Sequence, residues 1–282
     1  MARLARRFEE NTSADLAELG ATLAGAVAVL PIAAIEQHGA HLPLGTDAII
    51  ADAMVERAIA HLPDALPATF LPVQRIGTSD EHSSFPGTLS LDWRTGVETL
   101  LRIGEGLARA GFRRLCIVSS HGGNTQAMEL AALDLRRRFG LLCATAGWQR
   151  FGLPDGLVPE AERSIGIHGG AVETALMLRF RPDLVRGEAV AHQPSRQSEM
   201  EAEFRHLRAH GRLGFGWLAE DLNPVGTVGD ARLGSAAMGE AIADHQARRF
   251  VDFLGDIARF DLRAGPVQSA PGGTISGAPF ME

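Results

Sequence analysis

The sequence has no tyrosine, only two cysteines, and no apolar run long enough to cross a membrane. Its net charge is −7, and its 27 basic residues are scattered along the chain. These features argue against a nucleic-acid or membrane partner. The first residues turn acidic before any apolar segment develops, so we expect no signal peptide and a cytoplasmic location.

The two cysteines, Cys116 and Cys143, each lie in an apolar run that resembles a strand. This setting is typical of buried free thiols, which suit a reducing compartment. The 282 residues are 45% hydrophobic and 22% charged, as is usual for a soluble globular protein. A chain of this length can bury a sizeable core.

Apolar runs alternate with segments of helical periodicity along most of the chain. The predicted strands cover 26–35, 70–76, 113–119 and 141–146, and the predicted helices cover 13–24, 46–61, 93–110, 124–140, 170–180, 199–209 and 235–260. Such alternation predicts an α/β fold with a mainly parallel sheet. We expect one domain over 1–262 and a flexible tail over 263–282, which is rich in Gly, Pro, Ser and Ala.

The first stretch with chemical interest is residues 30–47, where Glu36 and His38 follow a predicted buried strand. If the chain stays extended there, both side chains point to the same side. Asp47 lies in the first turn of the next predicted helix, with Thr46 as its cap, and His41 is a fourth candidate. Carboxylate and imidazole together suit a divalent metal. The alternative is a turn with a few polar residues.

Three further stretches carry candidate functional residues. They are the polar loop 77–92 with Asp80, Glu81 and His82, the segment SSHGGN at 119–124, and the segment IHGGAVET at 167–174 with His168 and Glu173. Each has a structural alternative: the loop is solvated, the glycines relieve strain while Asn124 caps a helix, and Glu173 complements a helix dipole. Those alternatives leave His121 unexplained.

Taken together, these carboxylates and imidazoles fall at strand ends and helix starts of one α/β sheet, where sites of such folds lie. That placement fits a site for two metal ions about 3.5 Å apart, in which one Asp bridges both. The ions would form a bridging hydroxide near neutral pH and polarise a carbonyl. An uncoordinated His would then carry the proton to the leaving nitrogen.

The sequence resembles the creatininase (creatinine amidohydrolase) family over roughly residues 25–260. The matching stretches are IEQHGAHLPLGTD (35–47), GTSDEHSSFPGTLSL (77–91), SSHGGNTQA (119–127), HGGAVETALML (168–178) and GTVGDARLGSAAMGEAI (226–242). The resemblance implies a three-layer αβα sandwich, a binuclear centre of Zn, Mn or Fe, and a homohexamer.

The resemblance also assigns roles by position. Glu36, Asp47 and His121 would hold one metal, and His38, Asp47 and Glu173 would hold the other. His168 would be the catalytic proton-transfer residue. Independently of the resemblance, we expect His82, Gly122 and Gly123 to contact the substrate.

The sequence departs from true creatininases after the histidine at the end of the strand. The family has a Tyr and a metal-binding Glu there, whereas this chain has Gly122 and Gly123, so Glu173 is expected to supply the missing carboxylate. The region 148–167, which would supply the pocket tryptophans of creatininases, has Trp148 but no tryptophan near His168 in the sequence. Creatinine is therefore not the expected substrate.

The predicted function is metal-dependent hydrolysis of a C–N bond in a small amide, formamide or cyclic amide. Two alternatives stay open. One is a metallopeptidase that acts on a short peptide or a cofactor precursor, and the other is a metal-binding protein without catalytic activity.

Overall fold

The computed structural model describes residues 3–262, and the predicted tail over 263–282 lies outside the described residues. The strands are β1 (Val27–Ile32), β2 (Ala68–Phe70), β3 (Arg114–Ser119), β4 (Leu142–Gly147), β5 (His192–Gln193) and β6 (Gly229–Asp230). The α-helices are α1 (Ser13–Leu19), α2 (Thr46–His61), α3 (Trp93–Ala110), α4 (Thr125–Phe139), α5 (Glu160–Ile165), α6 (Ala171–Phe180), α7 (Arg196–Glu203), α8 (Ala219–Leu222) and α9 (Ala236–Arg259). Within this part of the chain, no helix is both long enough and apolar enough to span a membrane.

The central sheet has the strand order β2-β1-β3-β4, and all its neighbouring strands are parallel. Val27 pairs with Arg114 and Ile32 pairs with Ser119, so β1 and β3 end at the same edge. β5 and β6 form a separate antiparallel pair. The prediction of a mainly parallel α/β sheet is therefore confirmed.

Helices cover both faces of the central sheet. Alternate residues of β1 point to opposite faces: Val27 and Val29 pack in a core with helices α2, α6 and α9, whereas Ala28 and Leu30 pack in a core with α3 and α4. Strands buried on both faces read as continuous apolar runs, which is why these runs located them in the sequence. The three-layer αβα sandwich is confirmed.

Several element boundaries differ from the prediction. The run 26–35 is strand only to Ile32, because β3 ends there and the chain turns to pair with loops, where Ala33 N donates to Gln74 O at 2.9 Å. The predicted strand over 70–76 is misplaced, because β2 covers Ala68–Phe70 and shares only Phe70 with that range. Stretches predicted to be irregular contain α5 and α8, because such short helices have too few turns to show periodicity.

Two predicted helix caps are also wrong. Thr46 is the first helical residue of α2, and its hydroxyl donates to Pro43 O at 2.7 Å, inside the preceding turn. Asn124 occupies the N-cap position of α4, but its side chain makes no capping hydrogen bond because it binds two other segments. Its Nδ2 donates to Ala33 O at 3.0 Å, and its Oδ1 accepts from Thr78 N at 2.9 Å.

The packing of α9 against α6 depends on a glycine. A Cβ at Gly239 would overlap the backbone carbonyl of Ala175 and lie 2.9 Å from Arg179 Cβ, so the two helices approach backbone to backbone at this point. Gly255, further along α9, has open space where its Cβ would be. Because α6 carries Glu173, this contact also sets the position of a candidate site residue.

We therefore predict that Gly239→Ala destabilises the protein by about 1–3 kcal/mol, as overpacking does, despite the higher helix propensity of alanine. Gly255→Ala, the matched control in the same helix, should be neutral or stabilise by up to about 1 kcal/mol. Urea unfolding of the two variants measures the difference. Equal effects of the two substitutions would contradict the close approach.

Candidate metal centre

Five buried side chains meet at the carboxyl edge of β1 and β3. Glu36 and His38 lie on the segment after β1, and Asp47 lies in the first turn of α2. His121 directly follows β3, and Glu173 lies in the first turn of α6. Each is at most 6% exposed, so none of these polar groups is solvated as a surface residue would be.

The distances divide these side chains into two overlapping sets. In the first, His121 Nδ1 lies 3.1 Å from Glu36 Oε1 and 3.7 Å from Asp47 Oδ2. In the second, His38 Nε2 lies 3.9 Å from Asp47 Oδ1 and 3.8 Å from Glu173 Oε2. Within each set the potential ligand atoms lie within 4.8 Å of one another. Asp47 belongs to both sets, as a bridging ligand would.

Several atoms at the centre are buried without a hydrogen-bond partner among the described residues. They are Glu36 Oε1, His38 Nε2 and Asp47 Oδ2. An unsatisfied buried polar group costs about 1–3 kcal/mol, and more when it is charged. Divalent cations accept such mixed oxygen and nitrogen donors. The donor set therefore fits Zn, Mn or Fe.

The carboxylates and imidazoles strongly perturb each other's pKa values. Burial alone would raise the pKa of Glu36, but imidazoles, His121 foremost, lower it well below the usual range. Burial and then the Glu36 charge raise the pKa of Asp47 well above its usual range, and burial also raises the pKa of Glu173. Burial lowers the pKa of His38 well below its usual range, which favours the neutral form that binds metal.

His168 lies beside the same carboxylates. Its Nδ1 is 3.6 Å from Glu36 Oε1, and its Nε2 is 2.8 Å from the backbone oxygen of Gln37. Because a carbonyl oxygen only accepts, we assign the ring proton to Nε2, which leaves Nδ1 unprotonated and facing the centre. His168 also forms a third potential ligand set with Glu36 and His38.

Gln37 is a site residue that the sequence interpretation missed. Its side-chain Nε2 lies 2.9 Å from His82 Nδ1 and 2.6 Å from Gly226 O, and its Oε1 accepts from Gly39 N at 2.9 Å. The side chain therefore ties the segment after β1 to two distant loops. Its position between two predicted ligands was the one available signal.

His82 and His41 lie near the centre in different ways. His82 is buried and stacks on His168 with ring centroids 4.1 Å apart, and burial followed by the His168 charge lowers its pKa to about 4. His41 Nε2 instead contacts Gly169 O at 3.0 Å and Thr174 Oγ1 at 3.2 Å. His41 therefore holds its segment to α6, and it belongs to none of the potential ligand sets.

A second missed residue, Glu162 on α5, supports the start of α6. Its carboxylate is buried and accepts from Ala171 N at 2.8 Å and from Asp230 N at 2.7 Å. A Cβ at any of three surrounding glycines would collide with this carboxylate; they are Gly166, Gly170 and Gly229. The glycines leave the space that lets one carboxylate join α5, α6 and β6.

A cavity of about 620 Å³ opens over the centre. His121, His168 and Glu173 lie in its wall, together with His82, Gly122 and Gly123. The sequence-predicted substrate contacts thus all line this cavity. Its outer wall includes Arg150, which follows β4, and the segment that carries Phe215 and Trp217.

A parallel αβα sandwich with buried carboxylates and imidazoles at the carboxyl edge of its strands defines an α/β protein with a candidate metal centre. Residues 9–254 match the creatininase family, described as creatinine amidohydrolase. The chain belongs to the creatininase family, whose members are hydrolases.

Curated relatives include both peptidases and amidohydrolases. The mycofactocin precursor peptide peptidase of Mycolicibacterium smegmatis is 31% identical over 218 residues, which is 76% of this chain and 78% of that protein. The creatinine amidohydrolase of Pseudomonas putida is 32% identical over 185 residues, 60% of this chain and 69% of that protein.

Solved structures of creatininases share the fold. A crystal structure of creatinine amidohydrolase superposes with a TM-score of 0.70 at 27% identity and covers 91% of this chain and 99% of that one. A creatininase named as the Mn form matches with a TM-score of 0.70 at 26% identity, over 89% of this chain and 98% of that one. A variant described as the Zn-Zn type matches with a TM-score of 0.68 at 25% identity, over the same shares.

We predict that the purified protein binds two divalent ions per chain and that Asp47→Asn loses this stoichiometry, because Asp47 belongs to both ligand sets. The metal-free variant should be as stable as the metal-free wild type, or more so, since Asn imitates the protonated Asp47 that its raised pKa favours. Elemental analysis and thermal unfolding with and without Zn or Mn measure both effects.

Added metal at 100 times its dissociation constant should stabilise the wild type by about 2.7 kcal/mol for each bound ion, and it should stabilise Asp47→Asn less. Asp80→Asn is a matched control, because Asp80 is an exposed carboxylate that accepts from Ser90 Oγ. It should retain both ions. Two ions bound to Asp47→Asn would contradict the bridging assignment.

Proposed function

We propose that this protein is a binuclear metal-dependent hydrolase that cleaves an amide C–N bond. The observation that supports this function is the sharing of Asp47 between two ligand sets, one with Glu36 and His121 and one with His38 and Glu173. Ions held by these residues would supply an activated water near neutral pH and would polarise the scissile carbonyl.

His168 carries the proton in this proposal. Its Nδ1 faces the carboxylates, and the hydrogen bond from Nε2 to Gln37 O holds the ring in the orientation and tautomer that accept a proton at Nδ1. His82 stacks against the same ring and limits its rotation. The imidazole can then deliver the proton to the nitrogen that leaves.

We favour a short peptide as the substrate over the small amide that the sequence first indicated. The cavity volume of about 620 Å³ lies within the range of roughly 300–1,000 Å³ that holds ligands larger than one small ring. Relatives named as precursor peptide peptidases support the same choice.

Arg150 supplies a further argument for a peptide with a free carboxylate. Of the cavity-lining residues that the structure describes, it is the one with a permanent positive charge. It is exposed, and its guanidinium forms no hydrogen bond or ion pair with another described residue. A carboxylate on the substrate, such as the C-terminus of a peptide, would satisfy it.

A small amide or cyclic amide stays the second candidate. The similarity to the Pseudomonas putida creatinine amidohydrolase favours it. The same centre would perform the same bond cleavage, and only the use of the outer cavity would differ.

We predict that His168→Asn lowers kcat by about 100- to 10,000-fold, the usual contribution of a general acid or base, while two metal ions stay bound. Steady-state kinetics and elemental analysis of the same sample measure this. Loss of one ion in this variant would contradict the relay role and make His168 a ligand.

We predict that the metal-loaded protein hydrolyses short peptides faster than formamides and cyclic ureides in a panel of all three classes. Arg150→Gln should raise KM at least tenfold for a peptide with a free C-terminus, because a charged hydrogen bond contributes about 1.5–3 kcal/mol. The same peptide with an amidated C-terminus is the matched control and should show equal KM for both proteins.

Higher turnover of a cyclic amide than of every peptide would favour the second candidate. A loss of turnover in Arg150→Gln that is equal for the free and amidated peptides would contradict the anchoring role of Arg150.

A further inference from the structure

His121 has a contact on the ring nitrogen that faces away from the centre. Its Nδ1 is the atom near Glu36 and Asp47, whereas its Nε2 lies 3.2 Å from Glu81 Oε1. Nε2 is buried and has no well-aligned hydrogen bond among the described residues, so Glu81 is its available acceptor. The carboxylate reaches it from the polar loop that follows β2.

Gly123 leaves the space in which this contact occurs. A Cβ at position 123 would overlap both Glu81 Oε1 and His121 Nε2. At the neighbouring Gly122, a Cβ would meet no atom within 4 Å. The requirement for a glycine is therefore specific to position 123, and it arises from two side chains rather than from the backbone.

We propose that Glu81 is a positioning residue for the metal centre. Its carboxylate accepts a hydrogen bond from Nε2–H of the neutral His121 ring, so that Nδ1 is the unprotonated nitrogen and is directed at the position between Glu36 and Asp47. Gly123 provides the room for this arrangement. Carboxylates commonly orient metal-binding imidazoles in this way and make them more basic ligands.

The inference rests on the metal-binding part of the proposed function and is independent of the substrate. Glu81 is a suitable residue to test because its side chain is 21% exposed and lies on a loop, so its truncation opens no closed cavity in the core. Its effect on the metal can therefore be measured in a folded protein, with thermal unfolding of the metal-free form as the check.

The first experiment is a chelator competition that measures the Zn dissociation constant. Glu81→Ala should bind Zn about 10- to 100-fold more weakly than the wild type, with unchanged stoichiometry. Glu81→Gln, which keeps an accepting oxygen, should lie between them. Glu129→Ala removes an exposed carboxylate that also lines the cavity, and it should bind Zn like the wild type.

A second experiment follows the ring itself by NMR of the Zn-loaded protein with ¹⁵N-labelled histidine. The wild type and Glu81→Gln should show His121 protonated at Nε2, with this proton protected from exchange with solvent. Glu81→Ala should lose the protection. A solely structural role for Glu81 would leave the exchange of this proton unchanged.

A third experiment tests the link to the glycine. Gly123→Ala should weaken Zn binding as Glu81→Ala does, whereas Gly122→Ala should not. The double variant Glu81→Ala/Gly123→Ala should lose less than the sum of the single losses, because both act on one contact.

The outcomes separate this proposal from the proposed function. Wild-type protein that binds no metal overturns both. Wild-type binding with unchanged Zn affinity in Glu81→Ala overturns the positioning role alone. Loss of one ion from Glu81→Ala also overturns it, because Glu81 would then be a ligand.

Discussion

The structure depends on holding three carboxylates together away from water. Glu36, Asp47 and Glu173 are all nearly inaccessible to solvent, and their negative charges repel. Buried like charges of this kind destabilise a fold unless cations or hydrogen bonds compensate. Each carboxylate comes from a different, firmly packed segment. The imidazoles between them compensate part of the buried negative charge. Glu36 Oε1 and Asp47 Oδ2 have no hydrogen-bond partner among the described residues, so the groups of the protein compensate the buried charge only in part.

The segments are held by polar side chains that bind backbone groups far away in sequence. Gln37 reaches Gly226, Asn124 reaches Ala33 and Thr78, and Glu162 joins the starts of α6 and β6. Hydrogen bonds to backbone fix a segment whatever its own side chains are. Gln37, Asn124 and Glu162 can therefore hold their segments in place while the ligands change protonation or bind an ion. Rigid support of this kind is what a metal centre requires.

Periodicity and position made the fold and the principal candidate ligands predictable. Buried parallel strands read as apolar runs, and the edge that these strands share predicts that Glu36 and His121 lie close together. The side chains that hold the ligand-bearing segments in place were not predictable in this way. Glu162 lies in a stretch with two prolines and no clear period, and its partners are up to 68 residues away. Asn124 matched a helix cap equally well by local sequence, and only the tertiary contacts decide against that role.

The carboxylate of Glu162 and its three glycines have a consequence for how this chain can diverge. A side chain at Gly166, Gly170 or Gly229 requires the acid to leave. Loss of the acid removes the main collision at Gly166 and Gly170, whereas Gly229 stays constrained by its φ of 123° and by the Cα atoms of Gly166 and Gly170. A side chain added at Gly166 or Gly170 alone would collide with the Glu162 carboxylate, and simultaneous loss of that carboxylate would avoid the collision. Positions 162, 166 and 170 are therefore expected to change together, so that related sequences would carry either the acid with both glycines or a different connection at this point.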